Sequence, residues 1–236
     1  MRRKILRFLG VIGFLGMSVI PNSCGFVEEP DLPNQTDKQG VEYNLDFNKY
    51  EAVITGCRKD ITTVKISTSV IYKDKEYKIV GIEDNAFNSC TALEKVDMSF
   101  AYDLKYIGTR AFMNCRSLYV VIFPQKLTSI GIQAFYATSI IELIIPDSVQ
   151  RIETNAFCQC HRLQKISLGK YLSYMGDMVF YSYSNGGHVY SHQSDPPECH
   201  GILFAPSLWT IHVPKGSEQK YSKSKGFANQ TIKGDL

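Results

Sequence analysis

Ile82-Glu83-Asp84-Asn85-Ala86-Phe87-Asn88-Ser89-Cys90-Thr91-Ala92-Leu93-Glu94-Lys95-Val96-Asp97-Met98 decides the fold, because the chain repeats it. The pattern returns as Ile107-Gly108-Thr109-Arg110-Ala111-Phe112-Met113-Asn114-Cys115-Arg116-Ser117-Leu118-Tyr119-Val120-Val121-Ile122-Phe123, and later from Ile152 to Leu168. Phe87, Phe112, Phe135, Phe157 and Phe180 follow one another at spacings of 25, 23, 22 and 23 residues. Alanine precedes the first four of them and Val179 the fifth, while Cys90, Cys115, Thr138 and Cys160 stand three residues after. The unit around Phe135 has lost one residue, so its apolar series runs Ile140, Leu143, Ile145 and then Pro146.

A long period of this kind, with no sustained 3.6- or 2-residue period, is the mark of a chain wound into coils. Each unit offers one short strand with two side chains for an interior: Val96/Met98, Val121/Phe123, Leu143/Ile145 and Ile166/Leu168. A single coil cannot bury that face alone. Coils stacked about 4.8 Å apart bury it in a parallel sheet and gather the phenylalanines in a column. Asp84-Asn85 and Thr154-Asn155, directly before Ala-Phe, are expected to cap one short helical turn per coil.

Strand alternation then turns the intervening residues outward. Lys95, Asp97, Val120, Ile122, Glu142, Ile144, Lys165 and Ser167 become the candidate ligand-contact residues, with Tyr119 beside them. An apolar centre with charged flanks suits a contact surface. The same residues also suit ordinary cross-strand pairing.

The pattern Ile-x4-Phe-x2-Cys-x2-Leu-x2-Val-x-Ile-Pro resembles the BspA-like leucine-rich repeat family of bacterial surface proteins, over roughly residues 41 to 232. Ala52-Val53-Ile54-Thr55-Gly56 is similar to the family's opening coil, and Ile211-His212-Val213-Pro214-Lys215-Gly216 to its closing segment, with Phe227 where tryptophan is usual. The resemblance implies an α/β, horseshoe-like solenoid: a parallel sheet of short strands with short helical turns and loops, about five coils plus terminal caps. Residues 41–80 would be the opening cap, 81–180 the repeats, and 181–236 a late insert with the closing cap. It also implies non-enzymatic adhesion or recognition, the partner being an extracellular protein or glycan.

At the N-terminus, Met1-Arg2-Arg3-Lys4 leads into an uncharged run of 13 residues from Phe8 to Ile20, then Pro21-Asn22-Ser23-Cys24. This is the layout of an export signal, too short to span a bilayer comfortably. Residues 1–23 resemble a lipoprotein signal peptide, which would make Cys24 the lipid-attachment residue and the anchor the chain's sole membrane contact. Plain secretion and a retained anchor are the other readings. Residues 24–40, acidic and carrying Pro30 and Pro33, are expected to be a spacer. Without residues 1–23 the chain has 22 basic against 23 acidic residues, so no basic field is left to attract nucleic acid.

No catalytic residue and no cofactor is assigned, since GxSxG, HExxH, P-loop and Rossmann signatures are all missing. No metal site is assigned either. His188 and His192 fall in a stretch that favours a strand, where four residues span about 13 Å. Cys90, Cys115 and Cys160 share a repeat position and are expected to be small buried side chains. Cys57, Cys158 and Cys199 are off register, and spacing cannot pair them. Two further classes stay open. A glycan-capture protein would use Tyr181, Tyr183, Tyr190 and Trp209, and a structural scaffold would show self-association alone. Oligomeric state is not legible.

Overall fold

The computed structural model describes residues 35–182, 186–206 and 208–236. The segment read as a signal peptide, Cys24, and the expected spacer up to residue 34 lie outside the described residues. The chain opens with strands β1 (Gln35–Thr36), β2 (Val41–Asp46), β3 (Glu51–Cys57), β4 (Thr63–Lys65), β5 (Ser69–Tyr72) and β6 (Lys75–Ile82). The repeats supply β7 (Lys95–Asp97), β8 (Tyr106–Ile107), β9 (Val120–Ile122), β10 (Ser129–Ile130), β11 (Glu142–Ile144), β12 (Arg151–Ile152), β13 (Lys165–Leu168) and β14 (Tyr174–Met175). Beyond them come β15 (Gly187–Ser191), β16 (Glu198–Cys199), β17 (Trp209–Val213), helix α1 (Glu218–Lys223) and β18 (Thr231–Gly234).

Alternate strands belong to different walls. One wall is the parallel run β3-β6-β8-β10-β12-β14-β16, continued antiparallel by β2 and β1 at its start. The other is the run β4-β7-β9 followed by β11-β13-β15-β17-β18, parallel throughout. This makes about eight turns of a β-solenoid, against the five coils and caps expected. The excess comes from the region read as a late insert, since β15 and β17 extend the second wall in unbroken register.

Between the walls lies the phenylalanine column. Phe87, Phe112, Phe135, Phe157 and Phe180 are all buried, with successive centroids 4.7, 4.9, 5.1 and 5.7 Å apart and rings within 16° of parallel. Phe204 prolongs the stack at 5.3 Å. Phe227 closes it in a tilted contact at 6.1 Å. Inward strand positions behave as the alternation requires: Val96, Met98, Leu143, Ile145, Ile166 and Leu168 are buried, and Val121 is half-buried.

The segments around the phenylalanines are not helical turns. Asn85 and Asn155, expected as caps, have φ of 63° and 58°, and Arg110, Gln133 and Met178 share that left-handed conformation. A second left-handed residue follows four positions on, at Ser89, Asn114, Ala137 and Gln159. This alternation aims every other N–H along the solenoid axis. Asn85, Phe87 and Ser89 donate to Thr109, Ala111 and Met113 of the next coil, at 2.7–3.0 Å. Phe112, Phe135 and Phe157 do the same to Ala134, Ala156 and Val179. Buried peptide groups need partners, and a bond to the next coil replaces the bond within a helix. Asparagine before Ala-Phe suits a helix cap and a left-handed turn alike, which is why the sequence misleads there. The described α-helix is α1, in the closing segment.

The coils approach closely enough to restrict side chains. A Cβ at Gly131 would stand 2.7 Å from the carbonyl carbon of Gly108 in the preceding coil. Residues 35–40, expected in the spacer, are folded instead. Gln35 and Thr36 pair with Tyr43 and Glu42, and the Tyr43 hydroxyl donates to Asp37 at 2.9 Å.

Candidate functional site

The outer face of the second wall carries two columns of side chains fixed by strand register. One reads Thr63, Lys95, Val120 and, after a seam, Glu142, Lys165, His188, Thr210 and Thr231. The other reads Lys65, Asp97, Ile122, then Ile144, Ser167, Tyr190, His212 and Lys233. The seam lies between β9 and β11, which touch without forming a ladder. It falls at the unit that lost a residue: Phe135 to Leu143 is one residue shorter than Phe112 to Val121 or Phe157 to Ile166.

Around the seam the face is apolar. Ile144 is 62% exposed, Tyr119 42% and Ile122 38%, with Val120 half-buried beside them. Charges border this patch on both sides. Lys165 Nζ meets Glu142 Oε1 at 2.7 Å, and that carboxylate raises the Lys165 ammonium above its usual range. On the other flank, burial would raise Asp97, but hydrogen bonds from the Ser99 hydroxyl and N–H, with Lys95 and Lys65 nearby, bring it below the usual carboxylate range.

The repeat type follows from these units. A match to the BspA type leucine-rich repeat region, in 6 copies, spans residues 80–193. The chain carries BspA-type leucine-rich repeats. Among solved structures it is similar to a leucine-rich repeat protein from Bacteroides capillosus, with 24% identity and a TM-score of 0.49, covering 59% of this chain and 96% of that one. It is also similar to the T. pallidum leucine-rich repeat protein, with 20% identity and a TM-score of 0.49, covering 75% and 86%. A leucine-rich repeat protein from Bacteroides ovatus shares 20% identity at a TM-score of 0.47, covering 82% and 65%. No curated protein matches the chain.

Within the BspA-type repeats, all nine candidate contact residues lie on or beside the second wall: Lys95, Asp97, Tyr119, Val120, Ile122, Glu142, Ile144, Lys165 and Ser167. None of the nine side chains is fully buried. Sequence reasoning missed the C-terminal half of the same face. His188 Nδ1 lies 2.9 Å from His212 Nε2, and His212 Nδ1 lies 2.9 Å from Asp235 Oδ1. With Asp235 accepting from Nδ1–H, a neutral His212 leaves Nε2 bare to accept from Nδ1–H of His188. Tyr190 stacks on His212 at 4.7 Å and 10°. The signal was present in His188-Val189-Tyr190 and Ile211-His212-Val213, each an alternating triplet, but the spacing had lost its leucine landmarks.

Among the described residues, those expected for glycan capture are not brought to one face. Trp209 is 2% exposed and packs on Phe204 in the interior, Tyr190 is on the wall, Tyr181 lies in the turn after Phe180, and Tyr183 lies outside the described residues. Cys90, Cys115 and Cys160 are buried. The Cys115 thiol donates to Phe87 O, and Cys160 contacts Thr138 Oγ1 at 3.2 Å. Among the described residues no group of three or more His, Cys, Asp or Glu is placed to hold a metal ion. No helix among them is long and apolar enough to cross a membrane.

Proposed function

We propose that the chain is a non-enzymatic recognition module, displayed outside the cell and tethered through Cys24, that captures an extracellular protein on the outer face of its second wall. The observation that carries this reading is the exposed Tyr119, Ile122 and Ile144 group, bordered by Lys95/Asp97 on one side and Glu142/Lys165 on the other. Apolar centres with polar rims are the layout of protein contact sites. A rigid wall of stacked strands also holds such a group without an ordering cost on binding. A protein partner fits better than a glycan, because Trp209 faces the interior and the face offers no exposed indole to stack on a sugar ring.

The test is retention of the purified chain on a panel of immobilised extracellular matrix proteins and on a glycan array. Capture by a protein, lost in a Val120→Lys/Ile144→Lys double variant with an unchanged thermal midpoint, is the expected result. Undiminished capture by that variant would remove this face, capture by glycans alone would replace the ligand class, and self-association alone would make the chain a scaffold.

A further inference from the structure

Cys57 ends β3, and Cys90 follows the first phenylalanine of the column, 33 residues later. Their Sγ atoms are 2.7 Å apart in the interior, within about 0.7 Å of a bonded pair. Spacing hid this pair. The hairpin of β5 and β6 is inserted between the opening coil and the first repeat, so Cys57 loses the repeat period. The fold nonetheless seats it at the head of the column that Cys90, Cys115, Thr138 and Cys160 continue.

We propose that Cys57 and Cys90 are a thiol pair built to close into an intrachain disulfide, stapling the opening coil to the first repeat. Access divides the roles. Cys57 is 8% exposed and Cys90 is not exposed at all, so a small-molecule disulfide meets Cys57 first. Cys57 is the proton donor of the pair, its thiol pushed up by its hydrogen bond to Cys90 and by burial. Its proton passes to Cys90 across the 2.7 Å contact as its sulfur attacks; the exchange gives a mixed disulfide on Cys57 and releases one small thiol. The Cys90 thiolate then attacks the Cys57 sulfur, forms the Cys57–Cys90 bond and expels the second small thiol. Two protein thiols are oxidised and one small disulfide is reduced to two thiols.

Lys59 equips Cys90 for the second step. Its ammonium donates to Asn88 O at 2.7 Å and stands 3.5 Å from Cys90 Sγ. In the reduced pair the hydrogen bond from the Cys57 thiol and this ammonium outweigh burial and bring Cys90 down to about 7. Once Cys57 carries the small thiol its S–H is gone, and the Lys59 ammonium is what still favours the Cys90 thiolate. A low-pKa resolving thiol beside an accessible one is the arrangement of a closing pair. Cys115, by contrast, is pushed up to about 12 by burial, which leaves it out of the exchange.

Incubating the folded chain with oxidised glutathione at pH 8, then unfolding, alkylating and digesting it, tests the proposal. The expected product is one cross-linked peptide pair containing Cys57 and Cys90, lighter by two hydrogens. Its midpoint should lie about 5–10 °C above that of the reduced chain. Cys90→Ser should stop at a glutathione adduct on Cys57 with no rise in midpoint. Lys59→Met, which retains both thiols, should accumulate the adduct and move closure to higher pH. Two free thiols at 57 and 90 after full exposure to oxidant, or Cys57 bonded to another cysteine, would overturn it.

Discussion

At the residue scale, the molecule is held by one aromatic ring per coil and by a left-handed backbone conformation, at two positions of the turn, that most side chains avoid. Phe135 is stacked on both faces, by Phe112 and Phe157. Phe135→Ala is therefore expected to cost about 3–5 kcal/mol, whereas Tyr171→Ala at a 69% exposed position should change stability by less than about 0.5 kcal/mol; urea midpoints of the two variants check this. Ala137, at φ 56°, has the opposite sign. Its left-handed conformation costs roughly 1–2 kcal/mol, and glycine loses about 0.5–1 kcal/mol of that gain to chain entropy. Ala137→Gly should accordingly raise the thermal midpoint by about 2 °C, and Ala137→Val should lower it, both read by circular dichroism. The phenylalanines were legible because each ring recurs with its alanine. The left-handed residues were not, since Asn, Arg, Gln, Met, Ser and Ala all occupy them and only asparagine advertises the conformation.

At the element scale, short strands contribute little alone and gain their order from neighbours above and below. β8, β10, β12, β14 and β16 are two residues each, yet they form one uninterrupted wall. Close approach is the condition for that wall. Gly131→Ala should force its Cβ against the Gly108 carbonyl carbon, 2.7 Å away, and lower stability by about 1–3 kcal/mol while leaving the exposed face intact; thermal melts of the variant test it. The outer face of the second wall was legible at Lys95 to Ser167, where alternation and leucine landmarks agree. It was not legible at His188, Tyr190 and His212, because the unit after Phe180 lacks alanine before its ring and leucine after it. The seam was half-legible: the missing residue in the third unit was visible, but its consequence for the β9–β11 ladder required coordinates.

At the scale of the whole molecule, stability in a stack of coils is set by contacts between neighbours and by what closes the two ends. The antiparallel β1-β2-β3 group covers one end. At the other, α1 and β18 cover β17, Tyr221 packs on Phe227, and the Tyr221 hydroxyl reaches Ser191 and the Gln193 carbonyl. Deleting 214–236 would leave β17 an open strand edge with Phe204 uncovered, and edges of that kind associate. Light scattering of the truncated chain should show more self-association than the full chain at the same concentration. The coil count was underestimated because Phe204 and Phe227 keep the period, at 24 and 23 residues, while their neighbours abandon the motif. The phenylalanine rings mark the coils more faithfully than the surrounding consensus does.

The two walls stand only if the turn segments are bonded from coil to coil through the interior, and amide hydrogen exchange measures that directly. The N–H groups of Phe112, Phe135 and Phe157, which donate to the next coil at 2.7–2.9 Å, should exchange slowly and with similar protection, through opening of the stack. Rapid exchange at these three amides, at the rate of open surface turns, would contradict the stacked solenoid and, with it, the proposal of capture on its outer face.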